Sequence, residues 1–167
     1  MKDAKKFTIY GAQLLYKNFQ GKVDSYNKKG DKTVSVLLTD DHAAELVAEG
    51  WNVKYRKPRE DDPEQYRQPY LPTKINYKFY PPEIYMITSR GKTLLNDKTV
   101  GKLDWARIQN VDVTIRPYNY ASINGQPAGI SAYIETMFVT LDEDDLHRKY
   151  SDVPDVDFSD DSTPFEI

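Results

Sequence analysis

From Phe7 onward the chain reads as short runs of alternating apolar and polar residues separated by turn residues, the period of half-buried strands. Phe7 to Tyr16 is the first predicted strand, and Gly11 inside it implies a bulge or a close backbone approach. Asn27-Lys28-Lys29-Gly30-Asp31 reads as a turn, and Thr33 to Leu38 as a second strand rich in β-branched residues. One helix follows. Thr39 or Asp40 caps its start, Asp41 suits the positive end of its dipole, and Ala43, Ala44, Leu46, Val47 and Ala48 form its body. Gly50 stands where a glycine stop belongs. Trp51 to Lys57 is a third predicted strand, leading into a polar loop over 58–65 with two prolines, expected to be mobile. Lys74 to Phe79 alternates, with Ile75, Tyr77 and Phe79 on one face and Lys74, Asn76 and Lys78 on the other. Pro81-Pro82 ends it, and Glu83 to Thr88 makes another strand. Residues 89–108 read as a loop with a short helical piece at Leu103 to Arg107. Val111, Val113 and Ile115 alternate with Asp112, Thr114 and Arg116; Asn124-Gly125 signals a turn, and Ile130 to Leu141 is the last long strand. Residues 111–141 therefore read as a hairpin.

Many short strands with one helix predict a mainly β fold, an OB-like small β-barrel with one or two short helices and an inserted loop or hairpin. The ordered domain is expected over 1–145. From about Ser151 the chain loses its pattern, and Ser151 to Ser162 carries five aspartates and no base; Asp142 to Tyr150 reads as either a helical bridge or the start of the tail. Such a segment buries too little apolar surface to offset its ordering entropy, so 146–167 is expected to be an acidic, disordered tail.

Charge sharpens this division. The net charge of −3 combines 26 acids with 23 lysines and arginines. Residues 142–167 hold ten of the acids against only Arg148 and Lys149, which leaves 1–141 with 16 acids and 21 bases. A mildly basic body with an acidic end points to a nucleic-acid partner. Several chemistries recede. No cysteine is present, and His42 and His147 have no ligand spacing, so a zinc site is not expected. Neither GxxxxGK[ST] nor GxGxxG occurs, so no phosphate cradle and no cofactor are expected. Asp24, Asp31, Asp97, Asp104 and Asp112 could in principle serve a two-metal nuclease, but solvated strand and turn acids are the simpler account. No apolar stretch approaches the roughly 18 residues that span a bilayer, and no secretory signal follows the N-terminus.

Non-specific strand binders combine cations that follow phosphates with rings on which bases stack. Here the two types interleave repeatedly. Tyr26 adjoins Lys28 and Lys29; Tyr55 sits among Lys54 and Arg56; Lys74 and Lys78 flank Tyr77; Arg116 precedes Tyr118 and Tyr120; Arg90, Lys92 and Arg107 flank the loop with Trp105. Each ring alone could equally be core. Together, Tyr26, Lys28, Lys29, Lys54, Tyr55, Arg56, Lys74, Lys78, Arg90, Lys92, Trp105, Arg107, Arg116, Tyr118 and Tyr120 are the candidate contacts. At the other end, Asp160 and Asp161 precede Pro164 and Phe165, an acidic run closing on an apolar knob suited to docking a basic, pocketed partner.

Several segments are similar to the phage-encoded single-stranded DNA-binding proteins with an OB-like fold. They are Glu49-Gly50-Trp51-Asn52-Val53-Lys54, then Pro81 to Arg90, then Leu103-Asp104-Trp105-Ala106, then Val111 to Tyr118, and finally Ala132 to Thr140. The resemblance spans most of 20–150. It implies non-catalytic coating of single-stranded DNA during phage replication or recombination, in the cytoplasm of the infected bacterial cell. The acidic end resembles that of bacterial single-stranded DNA-binding proteins, although here Glu166 and Ile167 follow Phe165. Replication or recombination proteins are then the tail's expected partners; a homodimer is left open. The competing reading is a non-enzymatic module that engages host machinery through that tail.

Overall fold

The computed structural model describes residues 4–25, 27–79, 81–121, 125 and 127–142. The predicted first strand bends at Gly11, which adopts φ +64°, and splits into β1 (Phe7–Ile9) and β2 (Leu14–Asn18). β3 is Lys32–Leu37. The helix α1 runs Asp40–Glu49 with the caps its sequence implies: Thr39 Oγ1 accepts from His42 N at 3.2 Å, and Gly50, at φ 102°, closes the C-terminus with its N–H on Leu46 and Val47. Ala43 and Leu46 are its buried contacts.

The predicted third strand shrinks to β4 (Lys54–Tyr55). Trp51 makes only an isolated bridge to Ile130 before the chain turns. The next strand, β5 (Pro69–Ile75), begins earlier than its alternation suggested. It contains Pro69 and Pro72, whose missing N–H groups masked it in the sequence. It also ends earlier, because Asn76 Oδ1 accepts from Lys78 N at 2.9 Å and Phe79 N at 3.1 Å and turns the backbone. Phe79 is therefore not on the core face with Ile75; it is 76% exposed. β6 (Glu83–Thr88) and β7 (Gly91–Leu95) form the inserted hairpin, with β7 found where a loop was predicted. A 3-10 turn over Val100–Asp104, slightly upstream of the predicted helical piece, leads to β8 (Ile108–Tyr120) and β9 (Gly129–Leu141).

The fold is mainly β and OB-like, built as one mixed sheet. Its strand path is β1-β8-β9-β5-β3-β2, with β5 parallel to β9 and the other neighbours on the path antiparallel. The ladder is not closed into a barrel. Its two ends are nonetheless consecutive pieces of one chain segment: Ala12 donates to Val111 O at 2.7 Å, and Gln13 O accepts from Leu37 N at 2.9 Å. Gly11 makes that crossing, and its N–H is held by Asp112 Oδ1 at 3.0 Å. The inner face buries Val34, Val36, Leu71, Ile115, Ile134 and Met137, with Phe19 and Leu103 filling one end.

β5 and β6 lie end to end along the same edge of β9. Thr73 and Lys74 partner Ala132 and Tyr133, whereas Glu83 to Ile87 partner Thr136 to Thr140. The intervening chain leaves the sheet there, and this excursion shapes the site below.

Candidate nucleic-acid interface

Alternation decides which side chains reach the outer face. On β8, Val111, Val113 and Ile115 point inward, so Asp112, Thr114, Arg116 and Tyr118 point out. On β9, Ile130, Ala132 and Ile134 are buried, and then Met137 and Val139 are. The parity changes because Thr114 partners Thr136 while Ile115 partners Ile134, which leaves Glu135 as the extra residue of a bulge. Both Tyr133 and Phe138 consequently face outward, although four residues lie between them and strict alternation would put them on opposite faces.

Tyr133 is the centre of the resulting arrangement. Its strand partners are Arg116 on β8 and Lys74 on β5, so a cation flanks the ring on each side. Lys74 Nζ lies 6.0 Å and Arg116 Cζ 5.6 Å from the ring centroid. Tyr118, half exposed, meets Tyr133 edge-on at 5.8 Å with an interplanar angle of 70°. The excursion after β5 brings Asn76 and Phe79 over the same spot. Asn76, Phe79, Tyr118 and Tyr133 line an open pocket of about 450 Å³. Further along β5 the outer face continues to Tyr70, which meets Tyr16 of β2 at 5.5 Å. In OB folds, the outer face of the second and third strands and the two loops at its ends take up oligonucleotides. The corresponding strands here are β3 and β5.

Tyr77, also on the excursion, turns inward. It packs against the core, and its hydroxyl has no partner among the described residues. Burial, with Asp97 nearby, pushes its phenol up to about 12. Asp97 itself is paired with Lys32 at 3.2 Å.

The structure therefore brings Lys74, Arg116 and Tyr118 together, with Lys78 exposed on the same excursion. It adds Asn76, Phe79 and Tyr133. Lys28 and Lys29 are exposed in the β2–β3 loop, which Asn27 ties by donating to Lys22 O at 3.1 Å and to Asp31 O at 2.8 Å. Lys54, Tyr55 and Arg56 sit at the opposite end of β5, where Lys54 partners Tyr70. Arg67 lies over the Tyr55 ring at 6.0 Å. Tyr120 is positioned by its neighbour strand: its ring covers Gly129, where a Cβ would push the ring aside.

Four candidates lie elsewhere. Trp105 is 83% exposed just after the 3-10 turn, and Arg107 faces Asp142 at 3.8 Å. Arg90 and Lys92 belong to the β6–β7 hairpin, with Lys92 4.8 Å above the Tyr85 ring, itself stacked on Phe138 at 5.1 Å. This end of the sheet is where Ile108 partners Leu141, eight residues along β9 from Tyr133 and so roughly 26 Å away. Glu83 and Asp112, the partners of Thr136 and Phe138, lie between that end and Tyr133. Tyr26, Asp160, Asp161, Pro164 and Phe165 lie outside the described residues.

Tyr133 was legible in principle, because it sits between Ala132 and Ile134 on the opposite face. Phe79 was not, because its strand ends at an Asn turn that alternation conceals. Among the described residues, no group of three or more His, Asp or Glu gathers as a metal site, and no helix is long and apolar enough to cross a membrane.

Residues 1–163 match the model of a protein family described as a phage ssDNA-binding domain. A single-stranded DNA-binding protein from bacteriophage Enc34, solved in complex with ssDNA, is similar with a TM-score of 0.51 at 13% identity, over 86% of this chain and 95% of that one. A C-terminally truncated form of the Enc34 protein gives 0.49 at 14% identity, over 86% and 93%. The single-stranded DNA-binding protein encoded by bacteriophage T7 gives 0.44 at 13% identity, over 90% and 95%. No curated protein matches the sequence.

Proposed function

The chain belongs to the phage ssDNA-binding domain family, and we propose that it coats single-stranded DNA largely without sequence selection, as a non-catalytic component of phage DNA replication or recombination. One observation carries the location of the grip: Lys74, Tyr133 and Arg116 stand side by side on three adjacent strands, with Tyr118 against the same ring. That row supplies a stacking surface with a phosphate-binding cation on either side. Lys78, Lys28 and Lys29 extend the positive track from one end of β5, and Lys54, Tyr55 and Arg56 from the other. Arg90, Lys92, Trp105 and Arg107 serve as outlying contacts, reached only by a strand that continues past the central row. A further support is that the Enc34 protein, which shares the fold, is solved with ssDNA.

The domain is proposed to end near residue 145. The acidic segment 146–167 then stands outside the groove, competes with DNA for it, and docks replication or recombination partners through Asp160, Asp161, Pro164 and Phe165. The setting is the cytoplasm of an infected bacterium.

The test is fluorescence anisotropy of a labelled deoxythymidine oligomer, titrated with the full chain at several salt concentrations. Each phosphate contact contributes about −0.7 to the slope of log affinity against log salt. Three to five contacts predict a slope of roughly −2 to −4. An affinity that is flat in salt, or no binding at all, overturns the reading and leaves the tail-docking module.

A further inference from the structure

The pocket beside Tyr133 contains one group whose hydrogen-bonding role is already fixed. Asn76 Oδ1 accepts from both Lys78 N and Phe79 N, at 2.9 and 3.1 Å. The carbonyl end of the amide is thus committed to its own turn, and what remains to offer is the pair of Nδ2 hydrogens. Asn76 shares the pocket with Phe79, Tyr118 and Tyr133, and among the described residues nothing accepts from its Nδ2. Three rings, two of them with hydroxyls, and an amide left with donors only, beside two cations, form a site for a planar, partly polar ligand on a polyanion.

We propose that this pocket takes one base of the bound strand and selects for a carbonyl at the 4-position of a pyrimidine, thymine over cytosine. The proposal rests on the single-stranded DNA reading above and deepens it: the grip is general along the strand but selective at one position. Thymine carries an O4 acceptor where cytosine carries an N4 amino donor. A donor-only amide pairs with the first and opposes the second. Discrimination comes from the unpaired donors left behind when the wrong base enters. One such pair corresponds to roughly a three- to tenfold difference in affinity.

The experiment compares labelled deoxythymidine and deoxycytidine oligomers of equal length by anisotropy, using the full chain. Wild type is expected to bind the thymidine oligomer roughly three- to tenfold more tightly. Asn76→Asp keeps the oxygen that ties the turn and replaces the donor with an acceptor. Its extra charge weakens both oligomers alike, so the ratio is the readout, and it is expected to fall to one or invert. Phe79→Ala removes a wall of the pocket at an exposed position and is also expected to bring the ratio toward one, which keeps the test open should Asn76→Asp not fold. Equal affinity of wild type for the two oligomers overturns the proposal, as does a preference that survives both substitutions; in either case the general reading stands. Failure of wild type to bind either oligomer overturns both.

Discussion

Tyr133→Ala is the perturbation that bears most directly on the central row. The ring is partly exposed on the outer face, outside the core cluster, and touches Tyr118, Lys74 and Arg116. Two solvent-side cation–ring contacts of about 0.5–1 kcal/mol each are lost from the folded state, so stability should fall by about 1–2 kcal/mol and the chain should remain folded. Loss of a base-stacking surface costs about 1–3 kcal/mol of binding. At 25 °C that is a drop of roughly 5- to 150-fold in affinity. Tyr133→Phe keeps the ring and should stay within about twofold of wild type. The assay is anisotropy of a deoxythymidine oligomer at fixed salt, with a thermal melt on each variant. A Tyr133→Ala protein that melts cooperatively and binds within about twofold of wild type refutes the assignment of the row as the stacking surface.

Other expectations follow from the same geometry. Tyr77→Phe removes a buried hydroxyl that has no partner among the described residues and should raise stability at neutral pH by about 0.5–1 kcal/mol, read by urea unfolding. Because that phenol is raised from 10.0 to about 12, the unfolded chain releases its proton first; wild-type stability should fall as pH climbs through that window, and the variant should lose this part of the decline. Asp104→Ala strips the carboxylate that accepts from Phe19 N at 2.7 Å and Gln20 N at 3.0 Å. It should cost about 1–3 kcal/mol, seen as a lower melting temperature. Deleting 151–167 should leave the melting temperature unchanged and tighten DNA binding; equal or weaker binding defeats the self-competition idea.

Much of this fold could be read from residue order. Thr39 and Gly50 mark the helix ends because each cap is a local backbone requirement that a single residue meets. The β8–β9 hairpin follows from alternation, since one face of each strand is buried. Alternation misleads where side chains, not periodicity, set the boundary. Asn76 ends β5 one residue after Ile75, which moves Phe79 from a predicted core position to the surface. β7 is exposed along most of its length and pairs only with β6, so it carries no pattern to find. For the site, neighbouring cations and rings pointed to Lys74, Arg116 and Tyr118. They could not show that a bulge at Glu135 would turn Tyr133 and Phe138 to the same face, because the register of paired strands is a tertiary property. Trp105, prominent in sequence, is exposed at the far end of the sheet from Tyr133.

The most direct measurement is photocrosslinking of an oligomer carrying 5-iododeoxyuridine to the full-length chain, followed by mass spectrometry of the joined peptides. Adducts at Tyr133, Tyr118 or Phe79 are expected, and they should disappear at high salt along with binding. Adducts confined to Trp105 or Tyr85, with none on the row between Lys74 and Arg116, would place the strand on the other end of the sheet and contradict the account.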